Sequence, residues 1–204
     1  MDNLPVIHNG IDIDKFQFNS SAYDYFLFLG RMTDEKGIHE FLKLSKRMPH
    51  IPFVIAGKGN EAITNEVVAF CKKHSNTQYK GMLNYGSPEW LETLSKAKAL
   101  IMPITYDDPC PLVPLEAMAC GTPVIAFDKG SLPEQVTANA GSIIPFSKSV
   151  DGLAEGVTEI SSKTEEQYRN TRMAARKHVE IHFTADKMAK QYEDLYKQII
   201  ETTV

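Results

Sequence analysis

The chain has 204 residues, 43% hydrophobic and 24% charged, a balance that suits one good-sized globular domain with appendages and excludes a disordered or fibrous chain. A net charge of −4 without a basic block argues against nucleic acid as a main partner, and the longest apolar stretch, about Ala99 to Ile104, is far short of a membrane span, so no transmembrane segment is expected. Cys71, Cys110 and Cys120 form no C-x-x-C pair and read as free thiols in a reducing compartment, and no secretory signal is visible, so the expected location is cytoplasmic.

Residues 1 to 20 contain the turn dipeptide Asn9-Gly10 and little periodicity, and read as a leading segment. Six short apolar runs then alternate with helical segments. The strands are expected at Tyr25 to Gly30, Pro52 to Gly57, Thr77 to Gly81, Ala99 to Ile104, Thr122 to Phe127 and Ser142 to Phe146. Most are apolar throughout, as strands covered on both faces must be. Helices are expected at about 36 to 48, 60 to 74, 87 to 97, 112 to 120 and 131 to 138. Ile38, Phe41, Leu42 and Ser45 give the first an inward stripe, and Ser131 with Glu134 predicts a capping box on the fifth, with Pro133 in its first turn. Three helical segments close the chain near 149 to 161, 164 to 182 and 184 to 202; Met188, Tyr192, Leu195, Tyr196 and Ile199 paint an apolar stripe on the last, which must pack on its own sheet or on a neighbour. The expected fold is a Rossmann-like, doubly wound α/β domain of about six parallel strands with helices on both faces, binding ligands beyond the carboxyl ends of its strands.

The loops after the strands therefore carry the chemistry. In Gly30-Arg31-Met32-Thr33-Asp34-Glu35-Lys36-Gly37, two cations bracket a turn feeding a helix, which suits an anion; on the loop alone, ordinary surface cations paired with Asp34 and Glu35 are slightly favoured. After the fourth strand, Asp108 lies in a loop and Glu116, eight residues on, inside an apolar helix whose first free N–H groups are those of Leu112 and Val113. A carboxylate so close to the core needs a partner, either from the protein or from ligand hydroxyls.

Other signals carry less. Asp12-Ile13-Asp14 matches a metal-binding D-x-D by chance, His178 and His182 lack a third zinc ligand and read as cations near a helix C-terminus, and His39 reads as solvated. Gly57-Lys58-Gly59 and Gly81 to Ser87 read as ordinary strand-to-helix turns.

Val6 to Asp12, the stretch from Phe28 to Gly37, Val54 to Gly59, residues 108 to 126, Gly130 to Val136 and the closing Phe183 to Tyr196 together resemble, in order, the C-terminal domain of retaining GT-B glycosyltransferases, the family usually numbered four (glycosyl transferases group 1). The resemblance spans essentially the whole chain and implies one half of a GT-B fold that binds a nucleotide-diphospho-sugar. It implies that Arg31 and Lys36 bind the donor diphosphate, Glu116 the ribose hydroxyls and Asp108 the sugar hydroxyls. Gly30, Pro111, Leu112 and Val113 would line the donor site, with backbone near Met82 and Leu83 meeting the base. Family members retain anomeric configuration and need no metal, so neither a metal nor another cofactor is expected. Two positions depart from the family pattern: Asp108 replaces its first glutamate, and Cys110-Pro111 replaces an aromatic and a glycine, so no sugar preference carries over.

The resemblance also divides the chain into an interdomain segment (1–20), a nucleotide-sugar domain (21–183) and a helix (184–204) that would cross back to an absent N-terminal acceptor domain. That domain, or a partner subunit doing its work, is the expected macromolecular partner and the place for any peripheral membrane contact; alone, the chain is expected to be inactive. The competing expectations are a non-catalytic nucleotide-sugar-binding or interaction module, and half of a sugar-nucleotide epimerase.

Overall fold

The computed structural model describes residues 5–203, so Met1 to Leu4 of the leading segment and the terminal Val204 lie outside the described residues. Six strands, β1 (Phe26–Leu29), β2 (Phe53–Ala56), β3 (Thr77–Tyr79), β4 (Ala99–Met102), β5 (Val124–Phe127) and β6 (Gly141–Ile144), alternate with α1 (Ile38–Arg47), α2 (Glu61–Lys73), α3 (Pro88–Ser95), α4 (Leu112–Ala119) and the single turn α5 (Leu132–Gln135). Helices α6 (Ser149–Ser162), α7 (Glu165–His182) and α8 (Ala185–Thr203) follow. The strands form one parallel sheet in the order β3-β2-β1-β4-β5-β6, with Phe26 of β1 level with Phe53 on one side and Ala99 on the other. Strand order reverses between β1 and β4, and a doubly wound sheet leaves its ligand crevice at that point.

Alternate residues of each strand feed two cores. Leu27, Leu29, Val54, Leu100 and Val124 face α3, α4 and α7 through Leu94, Leu115, Met118 and Val179. Phe26, Phe28, Ile55, Ile101 and Phe127 face α1, α2 and α6 through Phe41, Leu44, Val67 and Val157. Burial on both faces is why β1, β2, β4 and β5 are apolar at every position. The predicted α1 stripe is buried, and Ser45 within it hydrogen-bonds Thr77 at the foot of β3.

Arg172, on α7, is fully buried with no carboxylate paired to it among the described residues. Its guanidinium donates instead to the carbonyls of Ser95 (2.6 Å), Asn19 (2.8 Å), Ala97 (3.2 Å) and Cys120 (3.4 Å), and to the Tyr168 hydroxyl (3.1 Å). Ser95 ends α3 and Cys120 caps α4, so the buried charge sits against the negative ends of two helix dipoles. One turn on, Arg176 donates to Ala119, the last residue of α4 (2.9 Å), and to Phe16 (2.6 Å). The leading segment is tied to the other end of α7, where Ile11 N–H donates to Phe183 and Ala185 N–H donates back to Ile11, both at 2.9 Å.

Three local expectations are corrected. Ser131 makes no side-chain cap; its N–H and hydroxyl both go to the Asp108 carbonyl (3.0 and 3.3 Å), and α5 ends at Gln135 because Val136 is extended. The capping box is instead Thr164 with Gln167 at the start of α7. His39 lies between Asp34 and Glu66, each 3.2 Å from a ring nitrogen, rather than in open solvent. His178 is no cation at a helix end: burial, then the neighbouring His182, push its pKa down, and its Nε2 lies 3.0 Å from the Gln135 carbonyl oxygen. Of the two places open to the α8 stripe, its own sheet is not the one it takes: among the described residues of that helix Ala185, Met188 and Leu195 are half-buried, while Tyr192, Tyr196 and Ile199 are exposed, as a helix crossing to a neighbour would leave them.

Replacing Arg172 by Met takes a buried donor from the carbonyls of Asn19, Ser95 and Ala97, and from that of Cys120, which keeps the Asn19 N–H. The variant is expected to lose about 3–5 kcal/mol in urea unfolding, and Arg172→Lys, with one compact ammonium for a five-donor fork, to recover less than half of it.

Candidate functional site

The loops after β1, β2 and β3 meet α4 around a cleft of about 390 Å³ at the carboxyl ends of the strands. Its floor is Leu29, Gly30, Ala56 and Gly57; Met82, Leu83, Tyr85 and Trp90 wall one side, Leu112 and Val113 the other. Arg31 and Lys58 line it as well, with no carboxylate at ion-pair distance from either among the described residues. Loop geometry brings these cations together: Met32 N–H donates to the Lys58 carbonyl (3.0 Å) and Gly30 N–H to that of Ala56 (3.0 Å).

Glu116 reaches this cleft from the middle of α4 and is 2% exposed. Its Oε1 accepts from the Tyr85 hydroxyl at 2.8 Å, whereas its Oε2 is buried with no hydrogen-bond partner among the described residues. Burial pushes the Glu116 carboxyl above the ordinary range, and the Tyr85 bond offsets part of that rise. A carboxyl in an apolar wall with one unused oxygen is suited to a ligand hydroxyl. At the start of α4, Pro111 provides no side-chain cap, so the N–H groups of Leu112 and Val113 are left to the helix's positive end.

Lys36 and Asp108 meet beside the cleft rather than in its wall. Lys36 Nζ lies 2.5 Å from Asp108 Oδ2, which also accepts from the Tyr106 hydroxyl at 2.6 Å. Burial alone would raise the Asp108 carboxyl; the Lys36 and Tyr106 hydrogen bonds outweigh it and hold it below the usual range. For Lys36 burial pulls the other way, and the same partners overcome it and raise the ammonium. Gly37 sits at φ 78° before α1, with the Pro103 carbonyl where a Cβ would stand, so this turn admits only glycine and delivers Lys36 to the end of β4.

Of the residues singled out from sequence, Gly30, Arg31, Leu83, Leu112, Val113 and Glu116 share the cleft; Lys36 and Asp108 form a neighbouring pair, and Pro111 sits behind as the start of α4 with its carbonyl held by Gln135 Nε2 (3.0 Å). The pairing of Arg31 and Lys36 with Asp34 and Glu35 does not occur: Lys36 takes Asp108, and Asp34 takes His39. Lys58, Tyr85 and Trp90 were not singled out. Lys58 lies in a glycine-flanked turn whose pattern matches no complete fingerprint, and nothing in the spacing of Tyr85 and Glu116 shows that they touch.

Comparison with known proteins places this cleft in context. The family pattern of glycosyl transferases group 1 matches residues 11–178. Glycogen synthase of Mycobacterium tuberculosis is 30% identical over 182 residues, 84% of this chain and 43% of the relative, and an uncharacterized glycosyltransferase of Methanocaldococcus jannaschii is 28% identical over 98% of this chain and 55% of its own length. The chain thus spans about half the length of these relatives. Among solved structures, sucrose-phosphate synthase of Thermosynechococcus elongatus superposes with a TM-score of 0.81 at 23% identity over 97% of this chain and 53% of its own. Anabaena HepE, solved in complex with UDP-glucose, gives 0.80 at 17% identity over 95% of this chain and 57% of its own; both likenesses speak to the fold. With the family pattern running from Ile11 to His178, across every strand and the cleft, the chain belongs to the glycosyl transferases group 1 family.

Proposed function

We propose that this chain is the donor-binding half of a retaining glycosyltransferase, taking a nucleotide-diphospho-sugar and moving its hexose to an acceptor held by another domain or subunit. The observation that carries the reading is the unpartnered, buried Oε2 of Glu116 in an apolar cleft that also holds two unpaired cations. The base lies against Met82 and Leu83, the ribose against Glu116, and the diphosphate against Arg31, Lys58 and the free N–H groups opening α4. Lys36 and Asp108 lie at the sugar end, Lys36 toward phosphate and Asp108 toward sugar hydroxyls.

In this reading the protein's part in the chemistry is electrostatic. As the bond from the anomeric carbon to phosphate breaks, negative charge grows on the diphosphate, and fixed cations stabilise it more than they stabilise the ground state. Front-side attack through an oxocarbenium-like transition state gives retention, and these side chains meet the leaving-group charge without a metal. The exposed stripe of α8 is the surface an acceptor-binding domain would cover, which makes the chain alone inactive.

Titrating the 204-residue chain with UDP, GDP and ADP by amide NMR is expected to shift residues around Gly30 to Gly37, Met82 to Asn84 and Asp108 to Ala117 for one of them. Arg31→Ala should weaken that diphosphate roughly tenfold or more while leaving the nucleoside unchanged, with Lys58→Met acting in the same direction; equal losses for nucleoside and diphosphate would refute the phosphate role.

Stability against pH tests the two carboxylates with opposite signs. Glu116 has its folded pKa raised by burial, so its ionisation costs stability as pH rises above the ordinary carboxylate range, and Glu116→Gln should gain on the wild type across that rise and match it in acid. Asp108 has its folded pKa lowered, so its contribution is present at neutral pH and fades in acid; Asp108→Asn should be destabilised at about pH 7 and converge with the wild type at low pH.

A further inference from the structure

We propose that Gln135 is a positioning residue for the nucleotide site: from α5 it holds the Pro111 carbonyl and so aims the Leu112 N–H into the cleft. The inference rests on the nucleotide-sugar reading of the cleft and deepens it, naming a residue that acts on the site through another. Asp107 to Pro111, the segment that leads into α4, contains two prolines without an N–H, so it supplies fewer hydrogen-bond donors than acceptors. Its carbonyls are met from outside. The Ser131 N–H and hydroxyl take that of Asp108 (3.0 and 3.3 Å), Asn9 Nδ2 takes that of Cys110 (3.2 Å) and Gln135 Nε2 takes that of Pro111 (3.0 Å).

The Gln135 bond differs from the others in where it falls. The Pro111 carbonyl and the Leu112 N–H belong to one planar trans peptide and point in opposite directions, so a partner fixed on the oxygen also fixes the direction of the N–H. Leu112 lines the cleft, and because Pro114 has no N–H, Leu112 and Val113 carry the free N–H groups of the first turn of α4. Gln135 is fully buried. Its Nε2 also meets Cys110 Sγ at 3.1 Å, its backbone carbonyl lies 3.0 Å from His178 Nε2, and its Oε1 has no partner among the described residues. An apolar side chain of similar size would cost the core less than an amide with an unmet acceptor. What the amide adds is its hold on Pro111.

Trp90 is the chain's single tryptophan and lines the same cleft, so its fluorescence reports binding. The 204-residue chain is titrated with UDP, GDP and ADP, and the diphosphate that binds is then compared with its nucleoside in the wild type, Gln135→Leu and Gln135→Met. Both variants keep a side chain of similar size and lack the amide N–H. Each is expected to weaken the diphosphate roughly fivefold or more and the nucleoside by less than about twofold, since a hydrogen bond to a charged group is lost from the first and none from the second. In wild-type amide spectra, which need no variant, the Leu112 N–H should shift with the diphosphate and stay still with the nucleoside. Equal losses for nucleoside and diphosphate, undiminished diphosphate binding in a folded variant, or a Leu112 N–H unmoved by the diphosphate would overturn the role given to Gln135 while leaving the nucleotide site standing. Binding of none of the three diphosphates would remove the nucleotide reading and this inference together.

Discussion

A buried guanidinium that pairs with no carboxylate among the described residues organises this fold. Arg172 satisfies itself on backbone carbonyls drawn from α3, α4 and the leading segment, and the dipoles of the two helices supply the negative potential that a carboxylate would otherwise provide. Because carbonyls at helix ends are fixed by the helices themselves, this contact sets the positions of α3 and α4 relative to α7 with backbone acceptors in place of a paired carboxylate. Arg176 repeats the arrangement one turn later at Ala119 and Phe16.

Helix α4 therefore has two unlike ends. Its C-terminus is closed by arginines, while its N-terminus is left with free donors facing the crevice at the strand reversal. Between them Glu116 reaches the same crevice from a helix that cannot easily shift. An isolated buried carboxylate is costly, and the Tyr85 bond meets only part of that cost. The remaining unsatisfied oxygen is a departure from an optimally stable core, of the kind found where a site awaits a ligand.

Charge is handled differently at the neighbouring pair. Lys36 and Asp108 satisfy each other, with Tyr106 bonded to the same carboxylate oxygen, so this cluster is stable without a ligand while Arg31 and Lys58 are not neutralised. The contrast separates a closed polar cluster from an open one within a single strand-end surface. It also shows why loop sequence alone misjudged the Arg31–Lys36 turn: the acidic neighbours Asp34 and Glu35 are adjacent in the chain, but Lys36 pairs with Asp108 from the loop after β4 and Asp34 with His39.

The alternation of apolar runs with helical periods determined the parallel sheet, the helix positions and the α1 stripe, because burial on both faces leaves a pattern legible one residue at a time. Motif order pointed to the family, and strand-end placement pointed to Arg31, Lys36, Asp108 and Glu116. Tertiary structure alone decided which of these share a cleft, that Ser131 serves the Asp108 loop rather than its own helix, that His39 and His178 are engaged, and that Tyr85 holds one oxygen of Glu116. Each depends on a contact between residues from different elements, or on a backbone angle, and periodicity and composition carry no record of either.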